Sequence, residues 1–225
     1  DNKGGSPFKV VGIFSDSWQS KALEIGRNYD LPVVTRDISS FYRKKGKPKK
    51  DLSLRIEFDK RTVELIAPFN AHAAALGGYM SIVTQPLIDA FLGINVHPGD
   101  LSITKKNGKR KYVGEFAVKD AILAGEKTIS SSTHIIEDKV DEGRLLMISR
   151  PVKVEMDPRF NLENRKSVEK ISEFYQSRLK EHGDWEVFPK TIEYIARGRF
   201  KADKKGMIYF DDKAIPYGIR MEEIK

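Results

Sequence analysis

Apolar positions fall into short runs separated by charged or Gly/Pro-bearing stretches, and the spacing inside each run predicts its element. Residues 8–15 (FKVVGIFS) are β-branched and aromatic, the pattern of a buried strand. In 17–29, Trp18, Ala22 and Ile25 recur at helical spacing, and 31–36 (LPVVTR) read as a second strand. Leu54, Phe58 and Leu65 share one face of a helix over 54–66, which Pro68 ends. Residues 71–80 read as a strand of small residues running into Gly77-Gly78. A short helix follows over 85–91 with Pro86 in its first turn, then a strand over 93–98 that breaks at Pro98. A helix over 115–124 is closed by Gly125, and strands cover 130–137 and 144–154. Val168, Ile171, Tyr175 and Leu179 mark a long amphipathic helix. Another helix covers 189–197, and a hairpin over 207–216 turns at Asp211-Asp212. Strands alternate with helices from the start, with no internal repeat and no long linker. The expected fold is α/β, a doubly wound and mostly parallel sheet, in a single domain over 1–225. Residues 1–7 would be a poorly ordered lead-in and 155–225 the C-terminal helices and hairpin. Such sheets carry their sites at the C-terminal strand ends.

Composition narrows the chemistry. The 225 residues are enough for a sizeable core, and the absence of cysteine excludes disulfides, thiolate nucleophiles, iron–sulfur clusters and Cys-based zinc sites. Apolar runs such as 71–76 are too short to span a bilayer, and no signal-peptide pattern opens the chain, so a soluble cytoplasmic protein is expected. The net charge of +8 is concentrated in two clusters, six basic residues within 43–50 and five within 105–111. Both read as exposed loops, either solvated faces or a funnel for a polyanionic substrate. Neither has the interleaved aromatics that stack bases, so no nucleic-acid partner is expected.

Candidate catalytic residues are few. The four histidines form no H-x-x-x-H pair, and the chain has no G-x-S-x-G, no phosphate-binding G-x-x-x-x-G-K-[ST] and no G-x-G-x-x-G. What remains is Asn95-Val96-His97-Pro98 at a strand end, with Asp138 and Asp141 after the strand bearing His134. Period-two spacing puts Asn95 and His97 on one face, an amide donor beside an imidazole. That pair suits a developing oxyanion and a proton handler, and Asp141 could orient the ring and raise its pKa. The alternative is a solvated Asn and a His capped beside a proline turn.

Three ordered motifs then resemble the folate-dependent formyltransferase family: Gly77-Gly78-Tyr79-Met80-Ser81-Ile82, Asn95-Val96-His97-Pro98, and His134 through Asp141-Glu142-Gly143. The tail around Trp185–Pro189 and Ala196-Arg197-Gly198, with the terminal hairpin, is similar to the glycinamide ribonucleotide branch. The resemblance covers 8–221 and implies a Rossmann-like formyltransferase fold. It also implies formyl transfer from 10-formyltetrahydrofolate to an amine, most simply glycinamide ribonucleotide in purine biosynthesis, with no metal. By the same resemblance Asn95, His97 and Asp141 are catalytic, with a protonated His97. The folate would lie against Met80, Ser81, Ile82 and Val83, and against Glu137, Asp138, Lys139 and Val140. Arg55 matches a basic folate-contacting position and Glu181 the carboxylate that holds the substrate ribose. A helix-end salt bridge and a plain surface residue are their respective alternatives. The implied partner is a small phosphorylated amine, bound by a monomer or homodimer without a membrane.

Departures bear mainly on the acceptor. The family's first strand and phosphate loop have no counterpart before residue 8, so either the sequence lacks its natural start or the sheet is incomplete. After His97 the family's Ser-Leu-Leu-Pro is replaced by Gly99-Asp100-Leu101-Ser102 and a basic insertion over 104–111. The usual Asp-Gly-Gly is Asp141-Glu142-Gly143, and a commonly basic position is Ser81. Competing readings are a formyltetrahydrofolate deformylase, transfer to another amine such as a sugar or aminoacyl-tRNA, and a non-catalytic folate- or nucleotide-binding relative.

Overall fold

In the computed structural model, which describes residues 5–155 and 163–224, the chain forms two units, Asp1–Gly93 and Ile94–Lys225. Residues 1–4 of the expected lead-in lie outside the described residues.

In the first unit β1 (Ile13–Ser15) and β2 (Val33–Thr35) pair in parallel, connected through α1 (Ala22–Tyr29). The helix can lie on β2 because position 26 is glycine: a Cβ there would stand 2.2 Å from Val33 Cγ2. The strand expected over 8–15 is therefore shorter. A second helix, α2 (Ile38–Lys44), occupies the start of what the sequence suggested was a basic loop. Asp37 caps it by accepting from the Ser40 amide at 2.7 Å, and Arg43 and Lys44 sit in the last turn, where cations suit the helix dipole. Ile38 and Tyr42, four apart, bury against Phe58 of α3 (Arg55–Ile66). Pro68 lies in a 3-10 turn, Ala67–Phe69, that ends α3, and β3 (Ala73–Leu76) and α4 (Gln85–Ala90) follow.

The second unit is built on β4 (Leu92–His97), whose first two residues belong to the first unit, α5 (Ala117–Leu123) and a short pair, β5 (Thr128–Ile129) with β8 (Val152–Lys153). Its main sheet adds β6 (Ser132–Ile135) and β7 (Leu145–Ile148). The pairs β4–β6 and β6–β7 run antiparallel, the second joined by a connection over 136–144 that is too short for a crossover helix. The run expected over 144–154 splits at Ser149–Pro151, where proline cannot donate to a ladder. Helix α6 (Arg165–Leu179) buries Val168, Ile171, Tyr175 and Leu179, the four positions its sequence spacing marks. It runs through a π-helical turn, Lys180–Asp184, into α7 (Trp185–Ala196), so the last helix starts before Pro189. Gly183 permits that approach, since a Cβ would stand 2.5 Å from Ser131 Oγ. The chain ends in β9 (Phe200–Ala202), β10 (Ile208–Phe210) and β11 (Lys213–Ala214), and then β12 (Ile219–Arg220), parallel to β7. Asp211 and Asp212 are both left-handed, φ 47° and 63°, as a tight hairpin turn requires.

The second basic cluster is also not a plain loop. Lys105 N donates to Lys109 O at 2.7 Å and Lys111 N to Ile103 O at 2.9 Å, folding 103–111 into a β-hairpin.

Candidate active site

Strand register assembles the site. In the β4–β6 ladder Asn95 stands opposite His134 and His97 opposite Ser132, while Ile94 and Val96 on the other face enter the core. Ser132 Oγ donates to Gly99 O at 2.8 Å and accepts from Leu101 N at 3.0 Å, fixing the turn that follows His97.

Asp141 arrives from the loop between β6 and β7, in the left-handed conformation at φ 55°. Its Oδ2 accepts from the Gly114 amide at 2.7 Å and lies 3.4 Å from His97 Nδ1, and its Oδ1 lies 3.6 Å from His134 Nε2. The ring of His97 donates from Nε2 to the Tyr112 carbonyl at 2.9 Å, because a carbonyl can only accept. By the same reasoning His134 Nδ1 donates to Ile135 O at 2.9 Å, which leaves Nε2 to accept from Asn95 Nδ2 at 3.2 Å. One amide hydrogen of Asn95 is thereby held and the other is left for a ligand.

The electrostatics correct one expectation. His97 is 4% exposed, and its burial lowers the ring pKa more than the Asp141 carboxylate raises it, so the resting ring is neutral at neutral pH. Burial pushes Asp141 upward, but its two histidine neighbours and the Gly114 amide, which donates to Oδ2, together hold it down at about 2. A carboxyl lowered in the folded state stabilises the fold fully above its unfolded pKa of about 4 and loses that contribution as pH falls toward about 2. Asp141→Asn should therefore flatten the fall in stability between about pH 4 and pH 2, read as the urea midpoint at each pH. Parallel curves for variant and wild type would contradict this account of Asp141.

The remaining candidates distribute unevenly. In the first unit Arg55 begins α3 and is 4% exposed, and its Nε and Nη1 have no partner, unlike an exposed helix-end ion pair. One turn on, Asp59 accepts from Thr84 N at 2.8 Å and Thr84 Oγ1 at 2.7 Å with Oδ2, while its Oδ1 is unpartnered. Met80 is 78% exposed, Ile82 is exposed, Val83 is half-buried, and Ser81 Oγ donates to Asp16. In the second unit Glu137 is engaged by Arg144 at 2.6 Å, whereas Asp138, Lys139 and Val140 are exposed, Val140 to 60%. Glu181 is exposed on the π-helical turn. The carboxylate of that turn that points inward is Asp184, which accepts from Ser131 Oγ at 2.6 Å and has its pKa raised by burial. Thus Asn95, His97 and Asp141 come together, and among the described residues Glu181 makes no hydrogen bond or ion pair with them.

Sequence reasoning did not assign His134, Ser132, Tyr112 or Gly114 to the site. His134 was visible as a strand-end histidine, but only the register opposite Asn95 gives it a role. Among the described residues no group of His, Asp and Glu is arranged to hold a metal ion, and no helix is long and apolar enough to cross a membrane.

Residues 2–173 match the family model described as formyl transferase. The phosphoribosylglycinamide formyltransferase of Haemophilus influenzae is 26% identical over 217 residues, 96% of this chain and 86% of that protein. The phosphoribosylglycinamide formyltransferase structure from Coxiella burnetii, solved with CHES, superposes with a TM-score of 0.66 at 19% identity, covering 96% of this chain and 87% of that one. A formyltetrahydrofolate deformylase structure from Pseudomonas syringae superposes at 0.55 with 18% identity, covering 89% and 64%. The chain has the α/β, Rossmann-like fold of these enzymes.

Proposed function

The chain belongs to the formyl transferase family, and from that membership we propose that it transfers a formyl group from 10-formyltetrahydrofolate to the amine of glycinamide ribonucleotide. The observation that carries this reading is the pair of contacts, Asn95 to His134 and His97 to Asp141, on one strand-end face.

The donor supplies an activated formyl carbon on N10 of the folate. Asn95 presents its free amide hydrogen to the formyl oxygen as negative charge builds there during attack by the amine, a donor of the kind worth about 3–4 kcal/mol in acyl transfer. His97, neutral at rest, has its Nδ1 facing Asp141, so a proton leaving the amine can be held between ring and carboxylate. The same pair returns that proton to N10 as the carbon–N10 bond breaks, leaving a formamide and tetrahydrofolate. Asp141 is ionised throughout the working pH range and stabilises the imidazolium while it exists. The exposed apolar side chain of Val140, on the loop that carries Asp141, suits the folate ring system. The acceptor is proposed on the likeness to the Haemophilus influenzae enzyme.

The test follows 10-formyltetrahydrofolate consumption by absorbance, with and without glycinamide ribonucleotide. Consumption that requires the ribonucleotide is the expected result. Consumption without any amine would identify a deformylase, a chemistry the shared fold also hosts. Folate binding with no consumption would replace the proposed acceptor by another amine or end the enzymatic reading.

A further inference from the structure

We propose that the 103–111 hairpin positions the Asp141 carboxylate, with Arg110 as the positioning residue. This rests on the reading of Asn95, His97 and Asp141 as the formyl-transfer site. Arg110 Nη1 donates to the carbonyl of Asp141 and Nη2 to the carbonyl of Gly143 at 2.8 Å, so one guanidinium spans both sides of Glu142. Asp141 has φ 55°, a conformation that residues with a side chain seldom adopt unless their surroundings impose it. The planar fork of arginine reaches two carbonyls at once, which a lysine ammonium cannot do in fixed geometry. Its charge also stands among Glu142, Asp141 and Glu137, three of the acidic residues of the same loop.

The hairpin is itself firmly placed. Ile103 at its start and Tyr112 just past its end pack into the core beneath α5 and α6. Lys111 points the opposite way from Arg110, pairing with Glu126 at 3.0 Å, and the Tyr112 hydroxyl donates to the same carboxylate. One stretch of five residues then touches two of the three candidate catalytic residues. Arg110 holds the Asp141 backbone, the Tyr112 carbonyl receives His97 Nε2, and the Gly114 amide holds Asp141 Oδ2. The basic insertion is thus anchored at its two ends and reaches the site through Arg110, while Lys105, Lys106 and Lys109 at its tip are exposed.

Arg110→Ala should lower kcat about 10- to 30-fold with both KM values within about twofold and a melting temperature close to wild type. Guanidinium ion added to that variant should restore several-fold of the lost rate. In a double-mutant cycle Arg110→Ala should add less than about twofold to the loss already caused by Asp141→Ala, since it acts through that residue. Additive losses, or a kcat within twofold of wild type in Arg110→Ala, would overturn the proposal. A wild-type protein that consumes no formyl donor would instead end the functional reading, and the grip is then judged by hydrogen exchange. The Gly114 amide should exchange about tenfold faster in Arg110→Ala, and unchanged exchange overturns the grip itself.

Discussion

His97→Ala is expected to cut kcat by about 100-fold or more while the protein still binds folate, and Asn95→Ala should do the same. The two residues contribute differently. Asn95 offers one amide hydrogen to the developing oxyanion while the other is held by His134 Nε2 at 3.2 Å, so the donor is oriented before substrate arrives. Loss of that donor removes an interaction made most strongly in the transition state, which lowers kcat more than it raises KM. His97 is the proton carrier, and without it the Asp141 carboxylate has no imidazole with which to share the proton of an attacking amine. The measurement is steady-state kinetics beside a folate titration and a melting curve. His97 is buried, so His97→Ala also leaves a cavity and an ionised Asp141 without its ring partner, and some loss of stability accompanies the loss of rate. Asn95 is half-buried and serves as the cleaner variant. A decrease below about fivefold in both would remove the catalytic assignment.

Gly143→Ala should be the most disruptive single change in the loop that carries Asp141. A Cβ at that position would stand 1.8 Å from the Ile135 carbonyl oxygen and 3.3 Å from His134 Nδ1. The obstacle is backbone, and it cannot turn aside, because the Ile135 amide is bonded to Arg144 O at 2.9 Å and ties β6 to the start of β7. Either the two strands part or the loop bearing Asp141 shifts. We expect a loss of about 3 kcal/mol or more in denaturant unfolding, or a folded protein whose kcat falls because the Asp141 carboxylate no longer faces His97. Gly143 has no left-handed backbone, so the requirement is for space alone. Its neighbour provides the contrast. Glu142 is exposed, and Glu142→Ala should change stability by no more than about 0.5 kcal/mol. That difference explains how a family pattern of Asp-Gly-Gly can appear here as Asp141-Glu142-Gly143: only the second glycine faces an atom. Equal tolerance of alanine at 142 and 143 would refute the packing argument.

What the sequence determined by itself was whatever depends on near neighbours. The spacing of Val168, Ile171, Tyr175 and Leu179 marked the buried stripe of α6, and Asp211-Asp212 marked a turn that needs two left-handed residues. The alternation along β4 put Asn95 and His97 on one face, away from Ile94 and Val96. These follow from backbone periods of 3.6 and 2, which a few consecutive residues reveal. The tertiary structure decided the rest. Helix α2 was hidden because its apolar residues are few and its last turn is basic, and burial against Phe58 is what stabilises it. The hairpin over 103–111 looked like a charged loop, since its support comes from Ile103, Tyr112 and Glu126, which its own charge pattern does not advertise. His134 became part of the site only when pairing set it opposite Asn95, and Asp141 only when a tight loop returned it to His97. The resting charge of His97 was misjudged for a related reason. A neighbouring carboxylate can be guessed from a motif, but desolvation is a sum over everything packed around the ring, and that sum exists only once the chain has folded.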